Sequence, residues 1–198
     1  MLDSTRAVGN NLNIKPGCPK NSSTGVLYSW FALRATYSRE LKVQAYLQEK
    51  GIRTFVPMIW KKSIVEGREE RKLVPAVSNL CFAYWDRQSI DECIRSFGET
   101  APFNYYWDRS ANRPLVVREK EMEDFIAIAS TMDEDLIYLT QINDKLRSGQ
   151  TVRVKEGPFK GVEGKIVRIR KSRRVMVELS GMLAVASTYV SPLSLEII

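Results

Sequence analysis

Three closely spaced glycines constrain the fold of this chain more than any other feature of the sequence. The segment 152–167 reads VRVKEGPFKGVEGKIV, with Gly157, Gly161 and Gly164 placed around Pro158-Phe159. Glycine allows the left-handed backbone and the close chain approach that tight loops need, proline fixes φ, and phenylalanine anchors a loop in a core. Because apolar and charged residues alternate on both sides, the segment predicts two strands joined by a tight loop.

The rest of this region continues the pattern of short strands. Strands are predicted at 151–154, 164–169, 174–179, 184–190 and 193–197. No helical periodicity separates them, which predicts a small five-stranded β-barrel of the SH3-like type. Residues 148–198 carry nine basic and four acidic residues, so they hold most of the formal net charge of +7.

The N-terminal part of the chain alternates strand and helix patterns. Strands are expected at 26–33, 52–59, 61–65, 69–74, 80–85, 103–107 and 115–117. Helices are expected to begin at a Ser38 cap, at a capping box from Ser89 to Glu92, and near Glu119. One antiparallel sheet covered by helices on one face accounts for this order. The chain is therefore predicted to be an α+β protein: a disordered tail (1–25), an α/β sandwich domain (26–132), a linker (133–147) and the barrel domain (148–198).

Composition weighs against an enzyme. The chain contains no histidine, which removes Ser-His and Cys-His catalytic pairs and histidine metal ligands. Its three cysteines, Cys18, Cys81 and Cys93, lack CxxC spacing, so neither a zinc site nor a disulfide framework is expected. We predict no catalytic residue, no metal, no cofactor and no membrane span. The basic balance predicts an anionic partner, and the cysteine usage fits the cytoplasm.

The glycine-spaced segment is identified as a KOW motif, and the motif follows a β-α-β-β domain. In this arrangement the chain resembles NusG-family transcription elongation factors, which join an NGN domain to a KOW domain. Supporting positions are Trp30-Phe31 opening the first strand, Glu40 beginning the first helix, Val56-Pro57, Leu73-Val74-Pro75, and the stretch 108–115. Pro75-Ala76-Val77 departs from the family's Pro-Gly-Tyr. With the N-terminal tail, this departure resembles the specialised antiterminators of the RfaH type, and above all the UpxY type of capsular polysaccharide operons.

The resemblance implies two surfaces on the first domain. Apolar anchors that contact the clamp region of RNA polymerase are expected at Trp30, Phe31, Val56, Leu73, Val74 and Pro75, with Phe31 and Val74 the better candidates. Strand alternation places roughly half of any such set in the core. Basic and aromatic residues that suit contact with single-stranded or flipped DNA are Arg34, Tyr37, Arg39 and Arg71; ordinary solvated charges are the alternative.

The barrel is expected to recruit a second partner: leader RNA, a termination factor or a ribosomal protein. The candidate residues are Lys155, Phe159, Lys160, Lys165, Arg168, Arg170, Lys171, Arg173 and Arg174. The resulting hypothesis is a monomeric, non-enzymatic, cytoplasmic elongation and antitermination factor that binds RNA polymerase and promotes processive transcription of specific operons. The alternatives are a KOW-containing RNA-binding or ribosome-associated protein acting in translation, and a housekeeping NusG.

Overall fold

The computed structural model describes residues 27–65, 68–143, 146 and 148–198. The predicted tail of residues 1–25, residues 66–67 between the strands predicted at 61–65 and 69–74, and part of the predicted linker lie outside the described residues. Of the helices within those ranges, none combines the length and apolar character needed to cross a membrane.

The first half of the chain forms a mixed α/β unit, called here the N-terminal unit, which extends from β1 to α3. Its elements are β1 (Tyr28–Ala35), α1 (Glu40–Glu49), β2 (Arg53–Phe55), β3 (Met58–Val65), β4 (Arg68–Pro75), β5 (Leu80–Asp86), α2 (Arg87–Ser96), β6 (Phe103–Tyr105), β7 (Trp107–Asp108), β8 (Arg113–Pro114), β9 (Val116–Val117) and α3 (Glu119–Ala129). The main sheet has the order β2-β5-β1-β6, and β9 also pairs with β1. Every pairing is antiparallel, as expected.

Helices cover both faces of this sheet, so the expectation of helices on one face is wrong. Successive side chains of β1 point to opposite faces. Phe31 and Leu33 pack with residues of α1 and α2 in one core cluster. Trp30 and Ala32 pack in a second cluster with Phe125 and its neighbours on α3. The uninterrupted apolar run of β1 follows from this burial on both sides.

Two helices begin at residues other than the predicted caps. The N-cap of α2 is Asp86, whose carboxylate accepts hydrogen bonds from the backbone N–H of Ser89 at 2.9 Å and from its hydroxyl at 2.8 Å. The N-cap of α1 is Arg39, because Ser38 has a left-handed φ of +52°. The third helix begins at Glu119, where it was predicted.

The strands predicted at 61–65 and 69–74 pair with each other in a separate two-stranded arm. Strands β3 and β4 pair with each other from Met58–Pro75 to Val65–Arg68. The predicted single strand over 52–59 is interrupted instead at Val56-Pro57. Proline lacks the N–H that would continue the ladder, so the chain leaves the main sheet at this point.

The C-terminal part forms the predicted small barrel with one added strand. Its strands are β10 (Ile137–Leu139), β11 (Thr151–Val154), β12 (Glu163–Ile169), β13 (Ser172–Leu179), β14 (Leu183–Tyr189) and β15 (Leu195–Ile197). The order is β10-β14-β13-β12-β11-β15, all antiparallel. The five strands β11 to β15 correspond to the five predicted ones. The addition is β10, which comes from the segment predicted as a linker and pairs with β14.

Helix α3 lies between the sheet and the barrel. Buried residues of β1, of α3 and of the barrel belong to one apolar cluster, which includes Trp30, Phe125 and Val177. The Phe125 ring lies 6.2 Å from that of Phe55 and 6.3 Å from that of Tyr138. Polar contacts cross the same boundary: the Lys120 ammonium donates to the Gly161 carbonyl at 3.1 Å.

Candidate functional surfaces

Three of the six predicted polymerase anchors are buried. Trp30 is 1% exposed, Phe31 4% and Val56 1%. The Trp30 ring lies against Tyr84 at 5.3 Å, and the Arg53 guanidinium sits 5.1 Å from its centroid. These side chains can shape the sheet, but they present almost no surface to a partner in this conformation.

The other three predicted anchors lie together on β4. Leu73, Val74 and Pro75 are half-buried. Val74 and Pro75 line a cleft of about 450 Å³ that faces the start of α1. The remaining lining residues are Ser38, Arg39, Glu40, Leu41, Lys42, Lys61 and Ser78. The cleft thus combines an apolar wall with three cationic side chains, of which Lys42 and Lys61 were missed in the sequence.

A strained turn joins β1 to α1 beside this cleft. Tyr37 and Ser38 both have positive φ, +53° and +52°, and so does Asn79 at +61°. The Ser38 N–H donates to the Asn79 side-chain oxygen at 3.0 Å, and the Asn79 N–H donates to the buried Glu40 carboxylate. These bonds hold the backbone in conformations that non-glycine residues rarely adopt. We call residues 37–40 the Tyr37 turn.

The Tyr37 turn presents an aromatic ring and a cation to solvent. Tyr37 is 85% exposed, and the Arg39 guanidinium lies 5.5 Å from its ring centroid. Tyr37 and Arg39, two of the four residues predicted to contact nucleic acid, therefore contact each other. Arg34 is exposed on β1 and, by its charge, opposes the rise in the pKa of Tyr106 that burial causes. Arg71 lies elsewhere, on β4, in a 2.8 Å ion pair with Glu134.

The loop between β11 and β12 is built as the glycine spacing predicted. Gly157 and Gly161 have φ of +88° and +87°. A Cβ at Gly164 would lie 2.5 Å from the Met176 carbonyl oxygen, so only glycine fits there. Phe159 is buried and anchors the loop in the core, while Lys155 and Lys160 are exposed. Phe159 therefore supports the loop rather than contacting a partner.

The strongest concentration of charge lies on the hairpin formed by β12 and β13. Arg168, Arg170, Lys171 and Arg173 are exposed, and residues 168–173 are called here the arginine hairpin. Lys165, lower on β12, is half-buried. Arg174 was predicted to belong to the same binding set, but it is buried, and its Nη1 donates to the carbonyls of Asp135 and Ser187, each at 2.7 Å. Arg174 thus fixes the segment before β10 against the barrel.

Two cysteines occupy positions that suit packing rather than chemistry. Cys81 is fully buried on β5, where burial raises the pKa of its thiol, and its Sγ–H donates to the Phe82 carbonyl at 3.6 Å. A raised pKa keeps the thiol protonated, and only the thiolate is a strong nucleophile. Cys93 is half-buried on α2, and Cys18 lies outside the described residues.

Comparison with known proteins assigns both parts of the chain. Residues 28–126, half of the chain, match the family model described as transcription termination factor nusG, and residues 148–178 match the KOW motif model. A solved structure titled "Domain interaction in Thermotoga maritima NusG" aligns over 87% of this chain and 98% of its own, with 18% sequence identity and a TM-score of 0.46. No curated protein matches the chain. The first model spans β1 to most of α3, and the second spans β11 to most of β13.

Proposed function

Because the chain belongs to the NusG family of transcription factors, we propose that its N-terminal unit binds RNA polymerase and promotes processive transcription. The NusG and KOW domains support a role in transcription elongation or antitermination rather than in catalysis. The observation that carries the proposal is the cleft between β4 and α1, which lies within the NusG match and has an accessible apolar wall.

The contact with polymerase is assigned to Leu73, Val74 and Pro75. Apolar surface at the edge of a cleft suits a partner helix, which buries its own apolar stripe there. Arg39 and Lys42 on the α1 side of the cleft, with Lys61 on β3 beside β4, would orient that helix through its carboxylates. Trp30, Phe31 and Val56 contribute indirectly, because they are packed in the core that supports the sheet.

The mechanism is a shift between polymerase states. A factor that bridges the two sides of the polymerase cleft promotes elongation only if it binds the closed, active state more tightly than the open, paused state. In the complex, the Tyr37 turn contacts the DNA that lies beside the polymerase cleft. Its exposed ring offers a stacking surface for an unpaired base, and Arg39 and Arg34 offer positive charge to the phosphates.

We further propose that the chain is a specialised antiterminator of capsular polysaccharide operons, of the UpxY and RfaH types. Ala76-Val77 in place of the family's Gly-Tyr supports this, because the change lies directly after the proposed contact residues. The factor would act as a monomer in the cytoplasm, with the barrel recruiting a second partner. Chromatin immunoprecipitation tests the specialisation: occupancy at one or a few operons is expected, and occupancy across all transcribed genes would indicate a housekeeping NusG.

The polymerase contact is tested by affinity capture of RNA polymerase after nuclease treatment. Val74→Asp places a charge in the proposed contact, whereas Ile64→Asp places the same charge at the far end of the same arm, where Ile64 is 81% exposed. Wild type and Ile64→Asp are expected to retain polymerase, and Val74→Asp is expected to lose it while keeping the wild-type circular dichroism spectrum. Equal retention by both variants would refute the contact. Capture of ribosomal proteins without polymerase would favour a translation factor.

A further inference from the structure

The arginine hairpin has features that cost stability and that packing does not explain. Arg168 and Arg173 are directly opposite each other in the β12–β13 register. Like charges in directly opposed positions destabilise a strand pair. Between Ile169 and Ser172, the two-residue loop is made of Arg170 and Lys171, both with positive φ, +49° and +66°.

This loop geometry normally selects other residues. A two-residue loop with positive φ at both positions is the type I′ turn, which favours Asn-Gly because most side chains are strained there. Here the turn carries two long cations instead. Strained backbone at an exposed tip is typically retained where it serves a function, and in this case it projects Arg170 and Lys171 away from the barrel.

The cations of the hairpin are not neutralised within the part of the chain that the structure describes. None of the four exposed side chains of the arginine hairpin lies within ion-pair distance of a described carboxylate, whereas Arg153 on the neighbouring β11 pairs with Glu163 at 2.8 Å. Along the strands, the nearest acidic residues are Glu163 and Glu178, each five positions from the closer arginine. At about 3.3 Å per residue, that separation exceeds a Debye length at physiological salt.

We propose that the arginine hairpin binds the phosphodiester backbone of a nucleic acid. Guanidinium groups match the geometry of phosphate oxygens, and three of the four exposed cations are arginines. A protein interface would place apolar anchors at its centre with a polar rim around them. The hairpin has none: its one apolar residue, Ile169, packs against the cluster formed by Val167, Met176 and their neighbours. The site is therefore a charged ribbon for a polyanion, and it is independent of polymerase binding by the N-terminal unit.

The arginine hairpin and the glycine-spaced β11–β12 loop both lie within the residues that match the KOW motif model, but they are different loops. The β11–β12 loop, which holds Lys155 and Lys160, is fixed by the buried Phe159. The hairpin that carries the arginines joins β12 to β13 instead. Substitutions in each loop therefore distinguish binding by the arginine hairpin from binding by the β11–β12 loop.

The test is fluorescence anisotropy of the full chain with labelled single-stranded RNA, single-stranded DNA and duplex DNA at 50 to 200 mM salt. Four phosphate contacts on a single strand give a slope of log K against log salt of about −2.8, which is roughly a 50-fold loss of affinity over that range. Arg168→Gln/Arg173→Gln removes two contacts, so its slope should fall to about −1.4, which is roughly a 7-fold loss. The probe bound most tightly identifies RNA or DNA as the ligand.

The control is Arg87→Gln/Arg95→Gln on α2, which removes the same charge from the N-terminal unit. It should bind as wild type does, as should Lys155→Gln/Lys160→Gln in the β11–β12 loop. An equal loss in the α2 control would show that net charge alone drives binding and would overturn the site. Binding of an oligoglutamate peptide as tight as that of RNA would overturn it in favour of an acidic protein partner. Failure to bind any nucleic acid would also overturn it, while polymerase capture tests the proposed function separately.

Discussion

Replacing the strained loop of the arginine hairpin with Asn-Gly should stabilise the protein and weaken nucleic-acid binding at the same time. The change is Arg170→Asn/Lys171→Gly, at the two positions with φ of +49° and +66°. A left-handed conformation costs an ordinary residue about 1–2 kcal/mol, and glycine returns about 0.5–1 kcal/mol of this through its more flexible unfolded state. At position 171 the gain is therefore about 0.5–1 kcal/mol, and asparagine at position 170, whose short side chain hydrogen-bonds locally in this conformation, relieves a similar part of the cost, so the net gain over both positions is about 1–2 kcal/mol. For a chain of this size, that gain raises Tm by about 2–8 °C.

The assay is thermal unfolding followed by far-UV circular dichroism, with anisotropy on the same samples. Arg168→Gln/Arg173→Gln is the matched control, since it removes the same charge from the same hairpin and leaves the loop unchanged. Relief of one opposed like-charge pair is worth about 0.2–1 kcal/mol, so its Tm should rise less. An equal rise in Tm for both variants would mean that charge repulsion, and not backbone strain, destabilises the wild-type hairpin. A lower Tm for the Asn-Gly variant would refute the reasoning outright.

Three further outcomes follow from the buried groups. Burial raises the pKa of the Asp124 carboxyl, and Lys120 acts in the opposite direction. The contribution of Asp124 to stability is therefore complete below the unfolded pKa of about 3.9 and is lost as pH rises through the folded pKa. Asp124→Asn should therefore gain stability relative to wild type between about pH 4 and pH 7, read as the difference in urea midpoints, and a constant difference would contradict this. Phe125→Ala should cost about 3–5 kcal/mol in urea unfolding, because the ring is 0% exposed in the cluster shared by sheet and barrel; a loss below about 1 kcal/mol would show that the site can collapse. Glu40→Ala leaves the Asn79 N–H without its acceptor and should cost about 1–3 kcal/mol, whereas Glu40→Gln, which keeps an acceptor oxygen, should cost less; equal losses would argue against the bond.

The strands of the barrel were predictable because their signals are local. Gly157 and Gly161 mark backbone that only small residues adopt easily, and each flanking strand alternates apolar and charged residues. The start of α3 at Glu119 follows from its i, i+3, i+4, i+7 apolar spacing in the same way. The predicted start of α2 was wrong because a second candidate cap lies three residues earlier. The Asp86 carboxylate accepts the hydrogen bond from the Ser89 N–H, so Asp86 caps the helix instead of Ser89.

The candidate site was predictable only in part, because exposure is set by tertiary packing. Trp30 and Phe31 lie on opposite faces of β1, and the sequence predicts a buried face for only one of them. Both faces are covered, since α3 and the barrel pack on the side that a helix-on-one-face sheet would leave open. Lys42 and Lys61 were missed for the same reason, because the cleft joins α1 to β3 and β4 across a long stretch of sequence.

Strand β10 determines at which residue a fragment containing the barrel should begin. The KOW match begins at residue 148, but β14 is paired along Ala184–Ala186 with Ile137–Leu139 from the preceding segment. A fragment beginning at residue 148 would leave those N–H and C=O groups as an open edge, which is the template on which strands of other copies add and aggregate. A fragment beginning near residue 133 keeps that edge covered, together with the Asp135 carbonyl that Arg174 binds. The unit that keeps its β14 edge paired is therefore longer than the unit that the motif defines.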